Sequence, residues 1–201
     1  IEPDTIEPDP LVAMFKDHII SLDTNILLTY CTESNDDKKI DRLTHEIISQ
    51  HVESDLLYIS PTVKLEFSKK ITEQNYVSEE RMKIIFEEYR PKFNRGQSLN
   101  LSDVKKGMNK KLEEIWNSEK KEDKNALKQW RRKKSKYKEL GTNERPISGR
   151  DSDILSHLIR IKLDNLGIEL TFLSKDRDFE EFARQIYDKF RINVVDGYTL
   201  K

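Results

Sequence analysis

Two short apolar runs end abruptly in acids, and this pattern narrows the folds open to the chain more than any other feature. Residues 18–23, HIISLD, break off at Asp23-Thr24-Asn25, and the run 168–173 passes straight into Ser174-Lys175-Asp176-Arg177-Asp178. A short apolar run bounded by turn residues reads as a strand buried in a core. Residues 56–59 and 192–195 give two further short strands. Between them lie stretches with helical periodicity: Ile40, Leu43, Ile47 and Ile48; Val63, Phe67 and Ile71; Met82, Ile85, Phe86 and Tyr89; Ile154, Leu155, Leu158 and Ile159; Phe179, Phe182, Ala183 and Ile186. Ser34 with Asp37 resembles a capping box, Ser60-Pro61 suits a helix start, and Asn165 with Gly167 suits a helix end. Strands alternating with helices predict an α/β fold with a mostly parallel sheet covered on both faces. In such sheets ligands bind beyond the carboxyl ends of the strands, where Asp23 and Asp176 are expected.

Charge is distributed unevenly. Charged residues make up 36% of the chain and hydrophobic residues 35%, for a net charge of −1. Residues 91–150 hold 18 Lys+Arg against 8 Asp+Glu, leaving 18 basic and 29 acidic residues elsewhere. A basic segment on an acidic body suits a polyanionic partner. The segment 91–146 reads as an inserted helical arm, with Ser102 as a cap and Val104, Met108, Leu112, Ile115 and Trp116 as a thin apolar stripe. Residues 1–15, with IEPD twice, read as an extended acidic leader, and 16–201 as one domain carrying the insertion. No apolar run reaches the ~20 residues that span a bilayer, so no membrane partner is expected. The single cysteine, Cys31, suits a reducing compartment, and the chain is predicted to be cytoplasmic.

The acids each have an ordinary explanation when taken singly. Asp23 suits a turn or cap, and Glu66, bordering the stripe of Val63 and Phe67, suits a salt bridge at the core edge. Asp151, just before Ile154 and Leu155, suits a helix start, where an acid meets free N–H groups. Of Asp176 and Asp178, the latter is assigned to capping the following helix. Asp153 stands one turn before His157, a spacing open to a metal pair but more often an ordinary helix contact. His18, His45 and His51 have no partner at ligand spacing.

Taken in order, these residues form a pattern: strand–Asp23-Thr24-Asn25, Ser60-Pro61 with Glu66 on a helix, Asp151 before Ile154-Leu155, and strand–Ser174-Lys175-Asp176-Arg177-Asp178-Phe179. That order resembles the PIN-domain family of ribonucleases over residues 18–75 and 146–196, with the basic segment unmatched. The resemblance implies a three-layer α/β/α sandwich and a metal-dependent endoribonuclease. Asp23, Glu66, Asp151 and Asp176 match the family's acids that bind Mg²⁺ or Mn²⁺, Asn25 and Ser174 match its polar helpers, and Asp178 matches an accessory position. An all-oxygen donor set favours such hard cations over zinc. RNA is the substrate implied, DNA the alternative, and an inhibitor or partner protein is compatible with the family. The basic segment is the expected nucleic-acid contact: Arg131, Arg132, Lys133, Lys134, Lys136 and Lys138 for phosphates, Trp130 and Tyr137 for stacking on bases. The rival readings are a structure-selective DNA nuclease of the flap type and a catalytically silent RNA- or protein-binding module. A haloacid-dehalogenase-like phosphatase ranks last, because Asn25 stands where its second acid belongs.

Overall fold

The structure, a computed structural model, describes residues 7, 9–32, 38–118, 132 and 149–197, without the side chains of 38–41 and 116–118. Strands β1 (Ile19–Leu22), β2 (Leu57–Tyr58), β3 (Leu170–Ser174) and β4 (Ile192–Asp196) form one sheet. All neighbours pair in parallel, in the order β2-β1-β3-β4. Every residue of β1 and β3 is buried. Their continuous apolar character follows from that, since helices must cover both faces of the sheet's centre. The α/β class with an all-parallel sheet is as the sequence predicts, and an α/β/α layering is consistent with it.

The helices are α1 (Pro10–Met14), α2 (Thr24–Cys31), α3 (Lys38–Glu53), α4 (Pro61–Lys70), α5 (Glu79–Lys83), α6 (Leu101–Ser118), α7 (Gly149–Asp164), α8 (Arg177–Glu181) and α9 (Ala183–Phe190). Ser60 caps α4, its hydroxyl accepting from the Val63 N–H at 3.2 Å, with Pro61 supplying a helical φ at the first position. Helix α7 ends as predicted near Asn165, whose buried amide donates to the carbonyls of Ile161 and Asn94.

Strand β1 leads through α3 to β2 on one side, and the chain later returns to place β3 on the other side of β1. The sheet therefore reverses its winding between β1 and β3. In an open parallel sheet this is the position where a crevice opens beyond the strand ends.

Three expectations are corrected. The leader is not extended throughout 1–15, because Pro10–Met14 is helical: Asp9 accepts from the Leu11 N–H at 2.9 Å, and Val12 and Phe15 are buried in the core. Asn100, not Ser102, caps α6, its side chain accepting from the Ser102 N–H at 2.8 Å. The helix through Met82 widens into a π-helical turn at Ile84–Glu88. The first part of the basic segment is helical with a buried apolar stripe, as expected. Helix α6 packs along α7 and buries Met108, Leu112 and Ile115 in the same core as the sheet. The capping box at Ser34 and Asp37 lies outside the described residues.

Candidate functional site

Strand β1 delivers Asp23 to the carboxyl edge, where its backbone N–H still reaches the Leu173 carbonyl at 2.9 Å. Asp23 is 4% exposed and begins α2 as its N-cap, one carboxylate oxygen accepting from the Thr24 N–H at 2.7 Å. The other oxygen, Oδ2, accepts from the hydroxyl of buried Ser174 at 2.6 Å. Ser174 Oγ in turn accepts from the Asp176 N–H at 2.9 Å. One hydroxyl thus couples the ends of the two strands that flank the winding reversal. Asn25 reinforces the link, its amide oxygen accepting from the Lys175 N–H at 3.1 Å.

Glu66 approaches from α4. The Thr24 hydroxyl donates to its Oε2 at 2.7 Å, tying it to the residue next to Asp23. Its Oε1 receives two cations, Lys70 Nζ at 2.6 Å from the next turn of α4 and Arg150 Nη1 at 2.6 Å from the start of α7. Arg150 Nη2 also lies 3.9 Å from Oδ1 of Asp151, which is 3% exposed. The four predicted acids are therefore joined in one network: Asp176 to Ser174 to Asp23 to Thr24 to Glu66 to Arg150 to Asp151.

Burial pushes the Asp23 carboxyl above its ordinary value; Ser174 and the Thr24 N–H pull it back, while the charges of Asp176 and Glu66 push it further up. Glu66 goes the other way. Burial alone raises it, but the hydrogen bonds from Lys70 and Thr24, with the fields of Arg150 and Lys70, outweigh that and hold it below the usual carboxylate range. Each carboxylate in a close group penalises the ionisation of the others, and cations or protons must relieve the strain.

Other predicted residues fall elsewhere. Asp176, not Asp178, is the N-cap of α8, its Oδ1 accepting from the Asp178 N–H at 2.8 Å. Either acid satisfies the sequence spacing; the backbone turn after Ser174 chooses the first. Asp153 meets Lys105 Nζ of α6 at 2.7 Å, a partner on another helix where the spacing offers His157 on its own. Arg132 is helical and exposed. Trp130, Arg131, Lys133, Lys134, Lys136, Tyr137 and Lys138 lie outside the described residues.

Sequence reading missed Thr24, Lys70 and Arg150. It also passed over Asp196, which lies in register with Ser174 at the same edge, one strand further along. The signal for Asp196 was present, since it ends an apolar strand much as Asp23 does. Lys70 carried a weaker signal, its i,i+4 spacing from Glu66, while nothing marked Arg150 among 36 Lys and Arg.

The donor chemistry of the network fits a hard divalent cation, since every candidate ligand offers carboxylate oxygen. The spacing is looser: among the described residues, no group of three or more His, Cys, Asp or Glu is gathered closely enough to hold a metal ion. Nor is any described helix long and apolar enough to cross a membrane. Comparisons of the chain with protein-family models, curated proteins and solved structures gave no match.

Proposed function

We propose that the chain is a metal-dependent endoribonuclease of PIN-like architecture, in which Asp23, Glu66, Asp151 and Asp176 hold Mg²⁺ or Mn²⁺. The observation that carries this reading is the chain of contacts through Ser174, Thr24 and Arg150 that links four acids, separated by up to 153 positions in sequence, at the carboxyl edge where the sheet reverses its winding. Burying two of these carboxylates, Asp23 and Asp151, is costly for a structural purpose, because apolar side chains would fill the same space without a desolvation penalty. A bound cation would supply an acidified water and neutralise charge on a phosphodiester. The chain's own residues do the positioning. Ser174 and the Thr24 N–H fix both oxygens of Asp23, the Thr24 hydroxyl orients Glu66, and Asn25 locks the loop after β3 against α2.

The acidic pocket by itself repels a polyanion, so affinity has to come from cations outside it. The basic residues between Trp130 and Lys138 are assigned that role, and the cytoplasm is the expected location.

A second reading is favoured by one observation. Arg150 and Lys70 already neutralise Glu66, an arrangement that also suits a catalytically silent binding module.

Cleavage of end-labelled single-stranded RNA and DNA with Mn²⁺, Mg²⁺ or EDTA, alongside Asp23→Asn, separates the readings. The endoribonuclease gives internal cuts in RNA that disappear with EDTA and in the variant. Cutting of DNA alone selects the DNA nuclease. Binding without cutting, by folded protein supplied with either metal, refutes the enzyme.

A further inference from the structure

Lys162 is a charged side chain in a place that few lysines occupy. It stands in the last turn of α7, is 6% exposed, and donates from Nζ to the Ile168 carbonyl at 2.6 Å. A cation there suits the dipole of α7, but a solvent-exposed lysine would serve that purpose as well. An ammonium carries three donors. Among the described residues this one has a single carbonyl acceptor and no carboxylate partner. A buried lysine is normally paired, because burial without a counter-charge carries a desolvation penalty. Lys162 also lines a groove of about 620 Å³ between α6, the end of α7 and the turn from α9 into β4. Buried Met108, Ile159 and Phe190, with exposed Leu99, Leu163 and Leu166, make that groove largely apolar.

We propose that this groove binds a small amphipathic carboxylate, with its head on the Lys162 ammonium and its apolar body over Met108, Ile159 and Phe190. The charge of the groove complements such a ligand. Lys111 and Arg191 line it too, with Lys111 Nζ 5.8 Å from the centre of the Phe190 ring and the Arg191 guanidinium 5.3 Å from that of Tyr187. Neither forms an ion pair among the described residues. Asp103 and Glu169 share the groove, so a singly charged head fits it better than a doubly charged one. The volume lies within the range that takes small molecules, and a largely apolar lining with a few placed charges is the usual composition of such sites. Glu169 and Arg191 immediately precede β3 and β4, which puts the groove at the amino edge of the sheet, opposite the acids. The proposal therefore stands apart from the nuclease reading.

The test uses the full chain with ¹³C in its methionine methyl groups, because Met108 lines the groove while Met14 and Met82 do not. Octanoate is the probe and octan-1-ol its uncharged counterpart. Octanoate shifts the Met108 methyl saturably, leaves Met14 and Met82 in place, and binds more tightly than octanol. Lys162→Gln keeps a donor for the Ile168 carbonyl and removes the charge; it weakens octanoate about tenfold, the worth of one charge-assisted hydrogen bond, and leaves octanol unchanged. Lys162→Leu, an apolar replacement that such a buried site tolerates, gives the same direction should the first variant fail to fold by urea denaturation. Octanol binding as tightly as octanoate, or octanoate affinity unchanged in the variants, overturns the role of Lys162. A Met108 methyl that millimolar octanoate does not shift overturns the groove as a ligand site. A Met108 shift that grows with protein concentration alone assigns the groove to a second copy of the chain and overturns the proposal as well.

Discussion

Replacing Ser174 by Ala removes the hydroxyl that joins the two central strands at the site, and its cost follows from two contacts. The hydroxyl donates at 2.6 Å to Asp23, a buried carboxylate, and accepts at 2.9 Å from the Asp176 N–H. A hydrogen bond to a charged group contributes about 1.5–3 kcal/mol and a neutral one about 0.5–1.5 kcal/mol. Asp176 is only partly buried, so water recovers much of the second contact. The expected loss at pH 7 is therefore about 2–3 kcal/mol, read as a lower urea midpoint with unchanged m-value. For a chain of this size that lowers Tm by roughly 4–12 °C. The bond favours ionised Asp23, whose folded carboxyl already titrates above its ordinary 3.8 because of burial. Removing the donor raises that carboxyl further. The penalty is thus full above Asp23's folded titration and shrinks as pH falls through it towards 3.8, where the carboxyl is protonated in both proteins. In an Asp23→Asn background the same substitution costs no more than about 1.5 kcal/mol, since only neutral contacts remain. Equal costs in the two backgrounds, or a loss at pH 7 below about 0.5 kcal/mol, would refute the coupling.

Phe172→Ala opens the centre of the sheet and removes an edge-on ring contact with Phe179 at 5.0 Å, so urea denaturation should show a loss of about 3–5 kcal/mol. Leu112→Ala tests whether the basic segment begins inside the core: at 1% exposure it should cost about 2–5 kcal/mol, whereas a detached arm would give almost none. Lys70→Ala removes one of the contacts holding Glu66 below its ordinary value. A ¹³C titration of the Glu66 carboxyl should then move upward, and the stability that Glu66 contributes at neutral pH should fade at a higher pH on acidification. An unmoved titration would mean that Thr24 and Arg150 alone set its acidity.

The sheet was legible because its two central strands are buried on both faces, leaving mostly apolar runs that stop where the backbone reaches the edge. Asp23 and Asp176 were legible for the same reason, each being the first acid after such a run or one turn beyond it. Helix α1 was not, since five residues are too few for a helical period and its apolar side chains matter only once α3 stands beside them. The choice of Asp176 over Asp178 as cap depends on backbone angles at the end of β3, which spacing does not encode. Lys70 was legible in principle, four residues after Glu66 on one helix, but Arg150 was not: its partner is set by which helix faces it, and α4 meets α7 only in the folded protein. The same reasoning explains Asp153, whose spacing to His157 suggested a pair on one helix while Lys105 waited on another.

On the proposed nuclease reading, the packing of α6 against α7 has a consequence for delivery of a polymer to the site. The basic stretch leaves the described fold at Ser118, the end of α6, and re-enters it at Gly149, the residue before Arg150. Both of its anchors belong to helices fixed in the core. If that stretch captures the strand, as the proposed function has it, the strand is tethered to the first turn of α7 and its next encounter with the acids is intramolecular. Tethering of this kind replaces bulk concentration with an effective one set by the length of the connecting chain. Local supply at the acidic edge would then depend on the number of residues between Lys138 and Gly149, and lengthening that link would dilute the strand at the site without altering a single contact within it.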